Sequence, residues 1–219
     1  VPTYDIITSP ADYYEMTWEA LRNAVYYGGS MGLGQANAYA SGALVSKYLR
    51  YNIYKGVEDG EVVLPGTGKI NPAATERKWT DDWNKDVFKR GIRQEYTLTV
   101  SGGSEKTKAY MSVSYLNDKG YVPNSGFRRV TVRGKVDQNI AKFIKAGINI
   151  AYSNTNQDQF GAEKAGSYSN IFFFGQNIAP IYPIYKYDME TGERLYGQTG
   201  EDLYDWGEKR AYGQLSNPY

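Results

Sequence analysis

Between Arg93 and Ser153 apolar and polar residues alternate with a period of two, and the elements of the chain are organised around this stretch. Tyr96, Leu98 and Val100 alternate with Glu95, Thr97 and Thr99. Ala109, Met111, Val113 and Tyr115 share one face of a second run, and Val130, Val132 and Val136 oppose Arg129, Thr131, Arg133, Lys135 and Asp137 in a third. A fourth run sets Ile144, Ala146, Ile148, Ile150 and Tyr152 against Lys145, Asn149 and Ser153. The pattern predicts four antiparallel strands with one apolar and one wet face. The apolar positions carry no charged side chain, whereas Glu95, Arg129, Arg133, Lys135, Asp137 and Lys145 lie on the wet face.

Elsewhere the period is helical. Ser9 as cap, Pro10 in the first turn and Asp12 near the positive end predict a helix start. Tyr14, Trp18, Leu21 and Val25 form its apolar stripe, and Gly28-Gly29 ends it. A second helix is expected from about Gln35 to Leu49, a short strand at Glu61–Leu64 and a short helix from Thr80 to Phe88. Ile171–Phe174 reads as a buried segment of either type. Pro180 and Pro183 impose an extended path, and residues 188–193 read as a hairpin-like turn before Arg194-Leu195-Tyr196.

Composition narrows the chemistry. With no Cys and no His among 219 residues, thiol and histidine catalysis are excluded, as are disulfides and the commonest zinc ligands. The charges nearly cancel (25 Lys plus Arg against 24 Asp plus Glu), so no global field points to nucleic acid. Pro65-Gly66-Thr67-Gly68-Lys69 lacks the spacing of a phosphate loop. Asp81, Asp82 and Asp86 gather near a helix start without the spacing of a calcium loop, and first-turn acids serve as dipole partners. No metal, cofactor or catalytic residue is assigned. A glycosidase would need two carboxyls across a cleft, whereas Asp188, Glu190 and Glu193 sit in one turn. Tyr is abundant at 22 against 7 Phe, which suits a membrane headgroup zone or a sugar-contacting surface.

The connections near 102–107 and 139–143 are short, and the one from Asn117 to Phe127 is longer. Long connections at one end and short turns at the other, with Tyr96, Tyr115 and Tyr152 near the strand ends, match an outer-membrane barrel. A soluble sandwich has alternating strands too and stays open as an alternative. No apolar run has the length of a transmembrane helix, and no signal peptide is read, so the chain reads as an internal piece or a mature product.

Several stretches resemble the SusC/RagA-type TonB-dependent transporters of the outer membrane. They are Asp82-Trp83 with 87–91, Leu98–Thr107 with its Val-Ser-Gly-Gly-Ser-Glu-Lys-Thr turn, Ser114–Gly120, Gly126–Arg129, Lys145–Ser153, Ala179–Tyr185 and Asn217-Pro218. The resemblance covers about residues 79–219, and Tyr4–Asn23 loosely. It implies a barrel of about 22 strands in the outer membrane of a Gram-negative bacterium, preceded by a plug that is absent here. It implies import of glycans or peptides, with a SusD-like surface lipoprotein, the TonB complex and membrane lipid as partners.

On this reading residues 1–92 are a helical extracellular loop region, 93–153 four barrel strands, and 154–219 a further loop and hairpin region. Tyr182, Tyr185, Tyr187, Tyr204 and Trp206 are expected to contact substrate, and Glu95, Arg129, Arg133, Lys135, Asp137 and Lys145 to face the lumen, where the cations are placed to meet acidic groups. The alternative is a soluble or surface-exposed carbohydrate-binding β domain without transport activity.

Overall fold

The computed structural model describes residues 6–122, 125–158 and 171–210. Pro123 and Asn124, the Gly-rich stretch through Ser169 and the Asn217-Pro218 pair lie outside the described residues. The chain divides into two units, one of residues 1–86 with 162–219 and one of residues 87–161.

In the first unit, α1 (Pro10–Tyr27) starts as expected, with Ser9 Oγ accepting the Asp12 N–H at 3.3 Å. Tyr14 and Trp18 are its most buried aromatics. Each carries a polar tip that must be paired once buried. Tyr14 Oη donates to the Tyr51 carbonyl at 2.6 Å and accepts the Ile53 N–H at 3.2 Å. Trp18 Nε1 donates to Ser41 Oγ at 2.8 Å, and Ser41 Oγ passes the chain on to the Val63 carbonyl at 2.7 Å. Gly68, at φ +66°, lies against the Trp18 ring, where a Cβ would come within 2.6 Å of it.

The second helix, α2 (Leu33–Ala43), runs into a π-helical turn at Leu44–Leu49 that ends on Arg50 in the left-handed region. The single helix expected there is two elements. The widened turn puts Leu44, Val45 and Leu49 in the core. The expected 61–64 strand is a 3-10 turn (Asp59–Glu61) followed by one Val63–Ile70 bridge. The expected 80–88 helix is α3 (Trp83–Asp86) alone. The 171–174 run is a helix, α4 (Ile171–Asn177), with Ile171 and Phe174 buried. Phe174 meets the Trp83 ring edge-on at 4.8 Å.

The second unit holds the four strands, β1 (Ile92–Gly103), β2 (Thr107–Lys119), β3 (Gly126–Ala141) and β4 (Ile144–Asp158), in one antiparallel sheet of order β1-β2-β3-β4. Its rows are clean. Leu98, Val113, Val132 and Tyr152 lie side by side, as do Thr97, Ser114, Thr131 and Ser153 on the other face. The apolar face is uncovered, with Leu98 69 % and Ile148 66 % exposed.

The barrel expectation is corrected here. The described strands make a single sheet that does not close, and β1 and β4 each have a strand neighbour on one side only. A bilayer accepts strands only when closure pairs every backbone N–H and C=O. The two edges left open among the described residues do not meet that condition by themselves. The loop asymmetry also shrinks, because β2 and β3 run on to leave only residues 120–125 between them. Placement in an outer membrane and the work of an importer, expected from the strand pattern and the resemblance, are corrected with the barrel. Among the described residues no helix is long and apolar enough to cross a membrane.

Replacing Tyr14 by Phe removes a donor and an acceptor from a fully buried site and leaves the Ile53 N–H and Tyr51 carbonyl without this partner. The expected loss is about 1–3 kcal/mol of stability, read as a lower denaturant midpoint at unchanged slope. An unchanged midpoint would remove the Tyr14 relay from the list of core constraints.

Candidate functional site

The five aromatic residues singled out from the sequence lie in one region of the first unit. There the chain folds into three short extended plies joined by single bridges: Tyr185 with Tyr204, Tyr187 with Arg194, and Tyr196 with Asp202. The turn at 188–193 forms because Asp188 Oδ1 accepts the N–H groups of Glu190 (2.9 Å) and Thr191 (2.7 Å) and the Thr191 hydroxyl (3.1 Å). The Thr191 N–H foremost, then the Glu190 N–H and the Thr191 hydroxyl, hold the Asp188 carboxyl below its usual range. Gly192 is required at φ +76°, where a Cβ would also strike the Lys78 backbone at 2.8 Å.

Asp81 locks this region in place. Its Oδ2 accepts the N–H groups of Ile184 (2.8 Å) and Tyr185 (3.3 Å), and its Oδ1 accepts the Tyr187 hydroxyl at 2.7 Å. Trp79 and Trp83 donate their indole N–H to the carbonyls of Ile181 (3.0 Å) and Tyr182 (2.8 Å). The Trp79 ring lies 5.6 Å from that of Tyr187 at 30°. Burial first, then the Asp81 carboxylate, pushes the Tyr187 phenol above its ordinary value.

The structure divides the expected contact residues. Tyr182 is in the core, 7 % exposed, with its ring edge-on to Tyr51 at 5.0 Å. Tyr187, Tyr204 and Trp206 line a shallow cleft of about 70 Å³ with Tyr51, Pro183, Lys186, Met189, Asp205, Glu208 and Lys209. Tyr185 stacks on Tyr204 at 5.4 Å and 30°, and Tyr204 meets Trp206 at 6.1 Å. Trp206 is 50 % exposed. Beside them the Arg194 guanidinium lies 3.4 Å from the Tyr185 ring centre and 5.3 Å from that of Tyr196, and pairs with Asp202 at 2.7 Å. The cleft wall is braced by Tyr51 Oη donating to Asp205 Oδ2 at 2.7 Å. The result is a fixed ladder of aromatic faces beside Lys186, Glu208 and Lys209, with the Asp205 carboxylate tied up by Tyr51 and the Gly207 N–H. Ring faces with charged groups at their rim suit a ligand that is flat and apolar on one side and hydroxylated at its edge.

Sequence reasoning missed Arg194, Tyr51 and the part played by Asp81. Asp81 was read with Asp82 and Asp86 as a dipole partner, and its acceptor role depends on a segment 103 residues away. Asp82 pairs with Lys85 at 2.9 Å, and Asp86 Oδ2 accepts the Asp82 N–H at 2.9 Å. Among the described residues no group of three His, Cys, Asp or Glu is placed to hold a metal ion.

The wet-face residues sit in the second unit. Glu95, Arg129 and Arg133 line one cleft. Lys135 and Asp137 pair with each other at 2.9 Å, and Lys145 stands opposite Asn139 across the β3–β4 pair.

No family model matches the chain. A TonB-dependent receptor of Formosa agariphila is 34 % identical over 135 residues, covering 61 % of this chain and 13 % of the receptor. A second from the same organism is 29 % identical over 128 residues, covering 56 % of this chain and 12 % of its own length, and a third is 28 % identical over 93 residues, covering 42 % and 8 %. The chain therefore shares partial, family-level similarity with TonB-dependent receptors and spans about an eighth of the length of the first two.

Two outcomes follow from these buried hydrogen bonds. Asp81→Ala is expected to cost about 1.5–3 kcal/mol, since hydrogen bonds to a charged group are lost; a melting temperature within error of the parent would show that the lock is dispensable. The phenols of Tyr14, Tyr51 and Tyr187 are all raised from their ordinary value of 10.0, with burial as the largest cause. Folding keeps these groups protonated, so their contribution is complete below about pH 10 and falls above it as the unfolded chain ionises. In an alkaline titration, tyrosinate absorbance from these three should rise together with unfolding. Their ionisation in the folded protein at ordinary pH would contradict this.

Proposed function

We propose that the chain is a carbohydrate-binding β module without transport activity, and that Tyr204 and Trp206 with the adjoining cleft form its sugar-contacting surface, Tyr185 supporting Tyr204 from behind. The observation that carries this reading is the convergence of Tyr187, Tyr204 and Trp206 on one cleft, with Tyr185 stacked behind them. A pyranose ring presents an apolar face of C–H bonds and an equatorial rim of hydroxyls. The first lies on an aromatic ring, and the second finds Lys186, Glu208 and Lys209 around the cleft. The cleft is small, at about 70 Å³, which favours contact with the face of an exposed glycan over enclosure of a free small molecule.

Within the TonB-dependent receptors, the SusC/RagA type is the kin we assign, on the Val-Ser-Gly-Gly-Ser-Glu-Lys-Thr turn at 100–107 and the Ala-Pro-Ile-Tyr-Pro-Ile-Tyr run at 179–185. Its associated SusD-like lipoprotein is the protein partner this kinship supports, with the glycan as ligand. No catalytic step is proposed. Asp188 is tied into its turn by three hydrogen bonds, and the reading asks only for binding.

The test is calorimetric titration of the chain with a panel of neutral oligosaccharides. Binding is expected for at least one, with Trp206→Ala and Tyr204→Ala each weakening it about fivefold to tenfold, the equivalent of about 1–1.4 kcal/mol of ring contact. Tyr96→Ala, on the sheet of the other unit, is expected to leave the affinity unchanged. Absence of binding across the panel, or equal losses in all three variants, would overturn the proposal.

A further inference from the structure

The wet face of the sheet carries a second arrangement that the aromatic ladder does not use. Strand β3 projects Arg129, Thr131 and Arg133 from one face at two-residue steps. The register fixes their neighbours. Thr131 stands between Ser114 of β2 and Ser153 of β4, and Arg133 stands between Ser112 and Ala151. Two guanidinium groups thus bracket a row of three hydroxyls, over a cleft of about 370 Å³ lined by Glu95, Ser112, Ser114, Arg129, Thr131 and Arg133.

The charges around this cleft are unevenly compensated. Arg93 pairs with Glu95 at 3.2 Å and reaches Asp118 at 3.9 Å, Arg128 pairs with Asp158 at 3.5 Å, and Lys135 pairs with Asp137 at 2.9 Å. Among the described residues Arg129 and Arg133 have no carboxylate within ion-pair distance. Glu95, the carboxylate at the cleft edge, is already engaged by Arg93. Arg129 lies over the Phe127 ring at 5.8 Å, a contact that steadies the side chain and leaves its charge uncompensated. The hydroxyls beneath are loosely held, with Thr131 and Ser153 at 3.4 Å and Thr99 and Ser112 at 3.5 Å, so they are free to turn toward a ligand.

We propose that this cleft binds an oxyanion, the carboxylate or sulfate ester of a small acidic ligand. Arg129 and Arg133 approach from the two ends as forked donors, and the Ser114, Thr131 and Ser153 hydroxyls donate from below. Two cations over a hydroxyl floor match an oxyanion in charge and in donor count. The site is open to solvent, so its affinity is modest and falls with ionic strength. It stands independently of the sugar reading, because no residue of the ladder contributes to it.

The test is a two-dimensional amide NMR titration of the whole chain with sodium sulfate, sodium glucuronate and glucose, at ionic strength held constant with chloride. Saturable shifts are expected at residues 112–114 and 129–133 with sulfate, with glucuronate or with both, and none with glucose. Response to sulfate alone marks a tetrahedral oxyanion, and response to glucuronate alone marks a sugar carboxylate. Arg129→Gln and Arg133→Gln are each expected to weaken binding about tenfold. Arg128→Gln removes the same charge from a side chain already paired with Asp158 and should change the affinity less than twofold. Absence of saturation with both anions overturns the proposal, as does an Arg128→Gln loss equal to the other two.

Discussion

The segment that carries the aromatic ladder depends on one carboxylate. Asp81 accepts two backbone N–H groups and one phenol from residues 184–187, and Trp79 and Trp83 on either side of it donate to carbonyls of residues 181 and 182. The segment it holds begins with Pro180 and contains Pro183, so a regular ladder is unavailable to it. Buried backbone groups still need partners. The side chains of residues 79–83 supply them in place of a neighbouring strand. Because hydrogen bonds to an ionised acceptor are the stronger kind, the lock is concentrated on Asp81 and the indoles complete it.

Hydrogen bonding separates the tyrosines that are presented from those that are consumed. Tyr14, Tyr51 and Tyr187 point their hydroxyls inward, to the Tyr51 carbonyl, Asp205 and Asp81. Phe could fill their volume but would leave each acceptor without this donor. Tyr185 and Tyr204 are held by the bridges between plies, and they stack face on face where the plies meet the cleft. At these positions Tyr in place of Phe serves two roles. One set of phenols satisfies buried acceptors, and the other supplies rigid amphipathic faces.

Local features were legible in the sequence. Ser9, Pro10 and Asp12 marked the start of α1 because a helix cap is decided within one turn. The four strands were readable from their alternation, with β1 beginning at Ile92 and β4 running on to Asp158. The barrel was misread for a physical reason. Alternation belongs to each strand and says which face is apolar, whereas closure belongs to the edges and depends on partners that a strand's own pattern does not encode. Loop lengths were a weak substitute, since β2 and β3 lengthened at the expense of the connection between them. The burial of Tyr182 was also hidden, because it is set by packing against Tyr51, far away along the chain.

The same distinction separates the two candidate surfaces. The pairing of Arg129 and Arg133 across Thr131 is a local matter, visible as soon as β3 is known to be a strand, because residues two and four apart share a face. The hydroxyl row beneath them is not local, since it needs the registers of β2 and β4 to bring Ser114 and Ser153 level with Thr131. The aromatic ladder is less local still. Tyr185, Arg194 and Tyr204 meet only because turns at 188–193 and 197–201 fold the chain back twice, and Asp81 anchors the first ply from a segment 103 residues earlier. Aromatic content alone therefore marks a stretch and does not tell its buried members from its exposed ones. Tyr182 and Tyr185 are three residues apart in sequence, yet the lock buries one in the core and leaves the other in the ladder.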